Sequence, residues 1–293
     1  MKAIVLVNAL GGSAGDDARA RVCEALRGAG IAGEVDLVAG TELAERAAGA
    51  VAAGARLVIA AGGDGTISAV AGALAGSDTA LGVLPLGTRN HFARDLGIPF
   101  DLAQAAAVIA AGHHRQIDVG RVNDRVFINN SAVGLYPLMV ADREGQQQLG
   151  RSKRLAMFVA GLRTLTRFHH HRLTLTIDDG ATRTIDTPLL FVGNNDYRLD
   201  LRGPGRRATL SDGRLSVIVM RRVERAGLLA AMLRALVGRS LPGDMIRLDS
   251  VERLTVTARR SQLTVSSDGE TRQTPPPLDY AISPGALRVM TPH

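Results

Sequence analysis

The sequence predicts an α/β N-terminal domain built on a parallel sheet, followed by a second domain rich in β-structure. Three observations carry this. Through the first 120 residues, short apolar runs alternate with segments of helical period. A glycine turn, Gly62-Gly63-Asp64-Gly65-Thr66, stands between an apolar run and a helix-like stretch. After about Val119, short strand-like runs separated by turn residues replace the alternation.

The elements follow in order. Residues 3–7 read as a strand, 16–27 as a helix and 34–38 as a second strand. A helix is predicted over 41–54, with Thr41 as its N-cap. Residues 57–61 form a third strand that feeds the glycine turn and a helix around 67–74. Residues 80–84 are a fourth strand and 102–111 a further helix. Such alternation places ligands beyond the carboxyl ends of the strands. In the second domain, strands are expected at 125–130, 172–177, 188–193, 215–220, 253–258 and 262–266, interrupted by helices at 152–168 and 224–238. Asp178-Asp179-Gly180 and Ser211-Asp212-Gly213 are the clearest turns. Domains of 1–120 and 121–293 result.

Composition narrows the partners. A net charge of +7 and a pI near 10.5 favour anionic ones. Nucleic acid is disfavoured, because tryptophan is absent and no RNA-binding aromatic signature occurs. The single cysteine, Cys23, excludes an internal disulfide and fits a cytoplasmic setting. Met1 to Leu10 reads as a first strand entering a loop rather than a leader. No run reaches the ~18 uncharged apolar residues a membrane-spanning helix needs, so a soluble or peripheral protein is expected. The stretch Lys153 to Arg167 mixes leucines with arginines; its apolar face either packs on a sheet or rests on anionic lipid. His169 to His171 lacks metal-ligand spacing.

The glycine turn carries the chemistry. Three glycines in four positions allow a sharp turn and close approach of a ligand. Asp64 sets a carboxylate where phosphate and a divalent cation would meet, Thr66 offers a hydroxyl, and the following helix aims free N–H groups at the same place. A second turn, Pro85 to Gly97, follows the fourth strand and brings Gly87-Thr88 to the same sheet edge. Late in the chain, Asp268-Gly269-Glu270 places two carboxylates two residues apart. In an extended segment both would face one way, and one of them would suit a general base. Asp-Gly is equally a common hairpin turn.

The ordered set of Gly62 to Thr66, Gly87-Thr88-Arg89-Asn90-His91-Phe92-Ala93-Arg94 and Asp268-Gly269-Glu270 resembles the diacylglycerol kinase catalytic family, which includes bacterial lipid kinases and sphingosine kinases. The resemblance covers nearly the whole chain. It implies a C-terminal β-sandwich, an active site in the interdomain cleft, and transfer of the γ-phosphoryl group of ATP, with Mg2+, to a lipid hydroxyl. It implies nucleotide contacts at Asn8, Gly12, Thr41, Gly62, Gly63, Asp64, Gly65, Thr66, Thr88 and Asn90. Glu270 resembles the family's proton acceptor, with Asp268 the other candidate, and Asp64 would handle magnesium. Thr209, Asp212 and Arg214 match a structural magnesium site, where Arg214 would offer only its carbonyl oxygen.

Two departures stand out. Ala9 replaces a usual proline after Asn8, and His91 replaces a usual aspartate thought to hold the magnesium through water. Asp95 and Asp118 are further acids for that task. The expected partner is a lipid at an anionic membrane surface, met by a cytoplasmic, peripherally associated enzyme; a homodimer is left open. The competing readings are an NAD kinase relative, which shares the GGDGT turn, and a non-catalytic nucleotide- or lipid-binding regulator.

Overall fold

The computed structural model describes residues 2–9, 16–134, 170–198, 206–207, 209–220 and 245–293. Gly12, His169 and the helices expected at 152–168 and 224–238 lie outside the described residues. The chain divides into two compact units that interleave in sequence. The first comprises residues 1–119, 125–129 and 283–293, and the second residues 120–124 and 130–282.

The first unit opens with β1 (Lys2–Asn8), α1 (Asp16–Gly28), β2 (Ala32–Val38) and α2 (Leu43–Ala52). It continues with β3 (Leu57–Gly62), α3 (Asp64–Leu74), β4 (Ala80–Pro85), α4 (His91–Asp95) and α5 (Leu102–Ala111). Strands β2, β1, β3 and β4 lie side by side in parallel. Both β3 and β4 are buried along their whole length, as parallel strands covered on two faces must be. Helices α1 and α5 pack together, as do α2 and α3.

The expected cap of α2 is corrected. The helix begins at Leu43, Glu42 holds the N-cap position without a side-chain bond, and Thr41 sits exposed in the preceding turn. Helix α4 is a single short element in what reads from sequence as a loop. α5 is capped as its sequence suggests, Asp101 accepting from the Gln104 N–H at 3.0 Å.

β5 (His114–Val122) and β6 (Arg125–Phe127) follow, paired to each other. The strand expected over 125–130 is therefore two. It breaks after Phe127, and β7 (Asn130–Gly134) starts in the other unit. The remaining strands are β8 (His171–Ile177), β9 (Thr182–Thr187), β10 (Leu189–Asn194), β11 (Tyr197–Arg198), β12 (Arg206–Arg207), β13 (Leu215–Met220), β14 (Met245–Val251), β15 (Arg253–Ala258), β16 (Leu263–Ser267), β17 (Glu270–Thr274) and β18 (Leu278–Met290).

The second unit is a β-sandwich. One sheet runs β14-β13-β10-β7-β16-β17; the other contains β9, β8, β15 and the first part of β18. Within the first sheet, Ala132, Phe191 and Ile218 form an apolar cluster. Leu278 and Tyr280 on β18 pair with Val256 and Leu254 on β15, all four buried, while Asp279 between them is exposed. That alternation is the signature of a sheet with one face on a core.

Candidate functional site

In the first unit the sheet order puts Val38, Asn8, Gly62 and Pro85 at the carboxyl ends of neighbouring strands. The chain leaves β1 for α1 on one face and β3 for α3 on the other, so the strand order reverses between β1 and β3. Ligands of open α/β sheets bind at such a reversal. Asn8 and the glycine turn flank it. The Asn8 amide donates to Thr66 Oγ1 at 3.0 Å, and Thr66 is buried. Gly40, the residue before Thr41, lies against the same amide, a β-carbon built there falling 3.7 Å from Asn8 Nδ2.

Two glycines permit this closeness. A β-carbon at Gly62 would lie 2.5 Å from Thr66 Cβ, and one at Gly87 would lie 2.6 Å from Gly63 Cα. The turns after β3 and β4 therefore touch backbone to backbone. They are also bonded. The Leu86 N–H donates to the Gly62 carbonyl at 2.9 Å, and the Phe92 N–H donates to Asp64 Oδ1 at 3.2 Å. One carboxylate oxygen of Asp64 thus receives the first turn of α4, while the residue itself is half-buried at the start of α3. Thr88 and Gly65 are exposed at the surface of this pair of turns.

The second turn is shaped from inside. Asn90 takes a left-handed conformation (φ 48°), is buried, and donates from Nδ2 to the Gly87 carbonyl at 2.7 Å. Arg94 donates to the Arg89 carbonyl at 3.0 Å and lies over the Phe100 ring. His91 follows Asn90. Burial is the main force lowering its pKa below the ordinary value; Asp64 and Asp95 pull it up, and Arg89 and Arg94 push it down. The imidazole is therefore neutral at pH 7, and Asp64 does not have a fixed cation beside it at this residue. Of the other acids considered for metal, Asp118 is buried with Oδ1 accepting from the Gly285 N–H at 2.8 Å, which engages it in joining β5 to β18.

The late acids differ from expectation. Asp268 (φ 49°) and Gly269 (φ 94°) are the two central residues of a tight hairpin joining β16 and β17. The segment is not extended, so the argument that both carboxylates face one way fails. Asp268 Oδ1 accepts from the Asn130 N–H at 3.0 Å, and the Asp268 N–H donates to the Asn130 carbonyl at 2.8 Å. Glu270, the first residue of β17, is exposed.

The turn Thr209 to Arg214 is organised by Asn195, which the sequence reading passed over. Asn195 is buried and left-handed (φ 62°). Its Oδ1 accepts from the Asp212 N–H at 2.8 Å, and its own N–H donates to the Arg214 carbonyl at 3.0 Å. Thr209 Oγ1 accepts from the Ser211 N–H at 3.1 Å. An asparagine after an apolar run was the only available signal. A cavity of about 630 Å3 adjoins this turn, lined among others by Asp212, Arg214, Ser250 and the ion pair of Asp196 with Arg247. Asp212 is the one acid of the three expected metal residues. Among the described residues no three His, Cys, Asp or Glu side chains gather as a metal cluster.

Two family models match the chain. Residues 2–122 match the diacylglycerol kinase catalytic domain, and residues 139–291 match the YegS C-terminal NAD kinase beta sandwich-like domain. A diacylglycerol kinase of Bacillus subtilis is 30% identical over 220 residues, 73% of this chain and 71% of the relative. The chain belongs to the diacylglycerol kinase family. Another member, from Mycobacterium tuberculosis, is 30% identical over 255 residues, 84% of this chain and 80% of that protein. A Klebsiella pneumoniae protein named "Probable lipid kinase YegS-like" is 54% identical, over 79 residues that span only 27% of its length.

Solved structures agree on the fold. A diacylglycerol kinase from Bacillus anthracis superposes with a TM-score of 0.70 at 20% identity, covering 99% of this chain and 97% of that one. An NAD kinase from Archaeoglobus fulgidus in complex with ATP superposes at 0.54 and 13% identity, covering 99% and 94%. Membership of the family makes this chain a kinase-type protein with an N-terminal α/β domain and a C-terminal β-sandwich. No helix among the described residues is long and apolar enough to cross a membrane.

Proposed function

We propose that the chain is an ATP-dependent lipid kinase that moves the γ-phosphoryl group to the hydroxyl of a diacylglycerol-like or sphingoid lipid. The observation that carries the reading is the locked pair of glycine turns around Asp64 at the strand-order reversal. Phosphoryl transfer asks a protein for positioning and charge stabilisation more than for covalent help, and a backbone surface of this kind supplies both. Gly62, Gly63, Gly65 and Thr66 would bring N–H groups and a hydroxyl to the phosphates, and Thr88 would reach them from the second turn. Asn8 orients Thr66. Gly12, between β1 and α1 in sequence, and Thr41, just before α2, are assigned the nucleotide's outer contacts.

Asp64 is the residue that would hold Mg2+. One of its oxygens faces the Phe92 N–H, the other is available as a hard oxygen ligand, and His91 is neutral beside it. Bound there, the ion would offset phosphate charge. At the turn of Thr209, Asp212 and Arg214, a single carboxylate with hydroxyl and carbonyl oxygens suits a water-rich Mg2+ rather than a closed cage.

Glu270 is assigned the acceptor's proton, since Asp268 is engaged with Asn130. In the transfer, the acceptor O–H bond breaks and its proton passes to the Glu270 carboxylate. The acceptor oxygen bonds to the γ-phosphorus as the bond from that phosphorus to the bridging oxygen breaks, and ADP leaves. The net charge of +7 supports a lipid presented in an anionic surface.

An ATP-consumption assay with diacylglycerol, sphingosine, phosphatidylglycerol and NAD tests the reading. Turnover on a lipid supports it; turnover on NAD alone gives the NAD kinase reading instead. Tight nucleotide binding without turnover on any of them gives the regulator. Glu270→Gln is expected to abolish transfer with ATP affinity nearly intact. Survival of activity there, with loss in Asp268→Asn, reverses the assignment of the base.

A further inference from the structure

The turn from Gly87 to His91 holds two buried polar atoms that the fold does not satisfy. Asn90 is 4% exposed; its Nδ2 donates to the Gly87 carbonyl, but its Oδ1 has no partner. His91 is the next residue, and its ring Nδ1 is likewise buried without a partner. Buried polar atoms are nearly always bonded, so an orphan on each of two consecutive residues asks for a cause. Shaping the turn is not that cause. The Asn90 amide nitrogen already holds the Gly87 carbonyl, and α4 takes no side-chain cap from Asn90. The His91 imidazole bonds to nothing in the turn.

Asp64 stands at the same place. Its Oδ1 accepts at 3.2 Å from the N–H of Phe92, the residue after His91, which leaves Oδ2 as the available oxygen. Of the charged groups acting on the His91 ring, Asp64 acts most strongly, ahead of Arg89, Arg94 and Asp95. The carboxylate is thus the ring's principal charged neighbour. Arg94 has its guanidinium on the Arg89 carbonyl, at 3.0 Å, and over the Phe100 ring, so it is not the partner of Asp64. A carboxylate oxygen and an imidazole nitrogen, both unengaged, make a mixed pair of donors. All-oxygen sites suit Mg2+, whereas an imidazole ligand favours first-row transition metals.

We infer that His91 ligates the nucleotide's divalent cation directly, together with Asp64, and that this mixed pair makes the site prefer Mn2+ or Co2+ to Mg2+. The inference rests on the reading of Asp64 as the residue that holds the cation. Asp64 contributes Oδ2 and His91 its ring nitrogen. Phosphate oxygens and water fill the remaining positions, so the site does not require three protein ligands, and among the described residues no such cluster gathers. Ligation removes the cost of a buried ring nitrogen without a partner. The second orphan, Asn90 Oδ1, is then the acceptor for a water on the ion, a contact of the kind that orients a metal's own ligands.

The test uses the full chain and the β,γ-methylene analogue of ATP, which is not turned over, loaded in turn with Mg2+, Mn2+ and Co2+. By titration calorimetry, wild type should bind the Mn2+ and Co2+ complexes more tightly than the Mg2+ complex. His91→Ala should weaken the first two about tenfold to a hundredfold and the Mg2+ complex less than about threefold, because the lost donor is a nitrogen. His91→Asp creates an all-oxygen pair and should turn the order in favour of Mg2+. Electron spin echo spectra of the Mn2+ complex should show coupling to a histidine nitrogen in wild type and in neither variant. Labelling histidine with heavy nitrogen should change that coupling, which separates the ring from the nitrogens of adenine.

His91→Asn keeps a polar side chain of moderate size, so it reports even if His91→Ala fails to fold. Asp64→Asn distinguishes the two layers of the argument. It should weaken all three complexes, by at least about tenfold, since the carboxylate serves every metal. If it does so while the order of metals is the same in wild type and the His91 variants, and no nitrogen coupling appears, the imidazole is not a ligand and the inference falls alone. If Asp64→Asn binds all three complexes as wild type does, the reading of Asp64 falls and takes the inference with it.

Discussion

Replacing Gly65 by alanine should make the first unit more stable and make it bind ATP less well. Gly65 is the second residue of α3, and a β-carbon built there meets no heavy atom within 4 Å. Its backbone is not in the left-handed region that favours glycine. Nothing in the folded chain therefore opposes a methyl group. Removing a helical glycine restricts the unfolded chain and should contribute about 0.5–1 kcal/mol of stability. If the open space above Gly65 is where phosphate oxygens approach the N–H groups of α3, the same methyl group stands between them. Losing one or two charge-assisted hydrogen bonds of about 1.5–3 kcal/mol each would weaken ATP binding roughly tenfold to a hundredfold or more. Urea unfolding and titration calorimetry with Mg-ATP, run on the same preparation, read the two effects. A variant that is more stable and binds ATP with unchanged affinity would refute the placement of phosphate at this turn. A less stable variant would refute the reading of the local packing.

Gly87→Ala should do the reverse at the level of the fold: its β-carbon overlaps Gly63 Cα and Asn90 Oδ1, so the two turns must part, at a cost of about 1–3 kcal/mol in denaturant unfolding. Asp64→Asn keeps an oxygen for the Phe92 N–H but loses the charge, so a melting temperature within a few degrees of wild type should accompany a fall of at least about a hundredfold in kcat. Tyr280 gives the pH prediction. Its folded pKa of about 12 lies above the ordinary 10.0, so its contribution is fully present below pH 10 and is lost as pH rises through 12. That contribution is about 3 kcal/mol of stability, and Tyr280→Phe should flatten the alkaline fall in urea-unfolding free energy.

The sequence was most legible where local chemistry and burial agree. β3 and β4 are short, wholly buried and bounded by turn residues, so hydrophobic runs gave them to within a residue. β5 and β18 escaped notice for physical reasons. β5 opens on exposed His114, Arg115 and Gln116, which blur its alternation. β18 contains Pro284 and Gly285 in mid-strand, residues that normally end one. Across these two residues Asp118 Oδ1 accepts the Gly285 N–H at 2.8 Å, a bond from a side chain of β5. In the candidate site, residue types were readable and conformations were not. Asp268 looked like one of two parallel carboxylates, yet its left-handed backbone sends it to Asn130. Asn195 was invisible because its task is to bond backbone groups from Asp212 and Arg214, seventeen and more residues away.

β18 also bears on how the protein is made. Residues 283–293 belong to the first unit, where Arg288 and Val289 pair with Ala80 and Leu81 on β4. When β4 leaves the ribosome, the neighbour that will cover its open edge has yet to be translated. At about 5–20 residues per second the wait is roughly 10–40 s, during which β4 is an apolar, unpaired edge. A fragment of residues 1–120 would leave Ala80 and Leu81 on β4 without their partners Arg288 and Val289. The first unit draws on residues 283–293, so it is complete only after the whole of the second unit has been made.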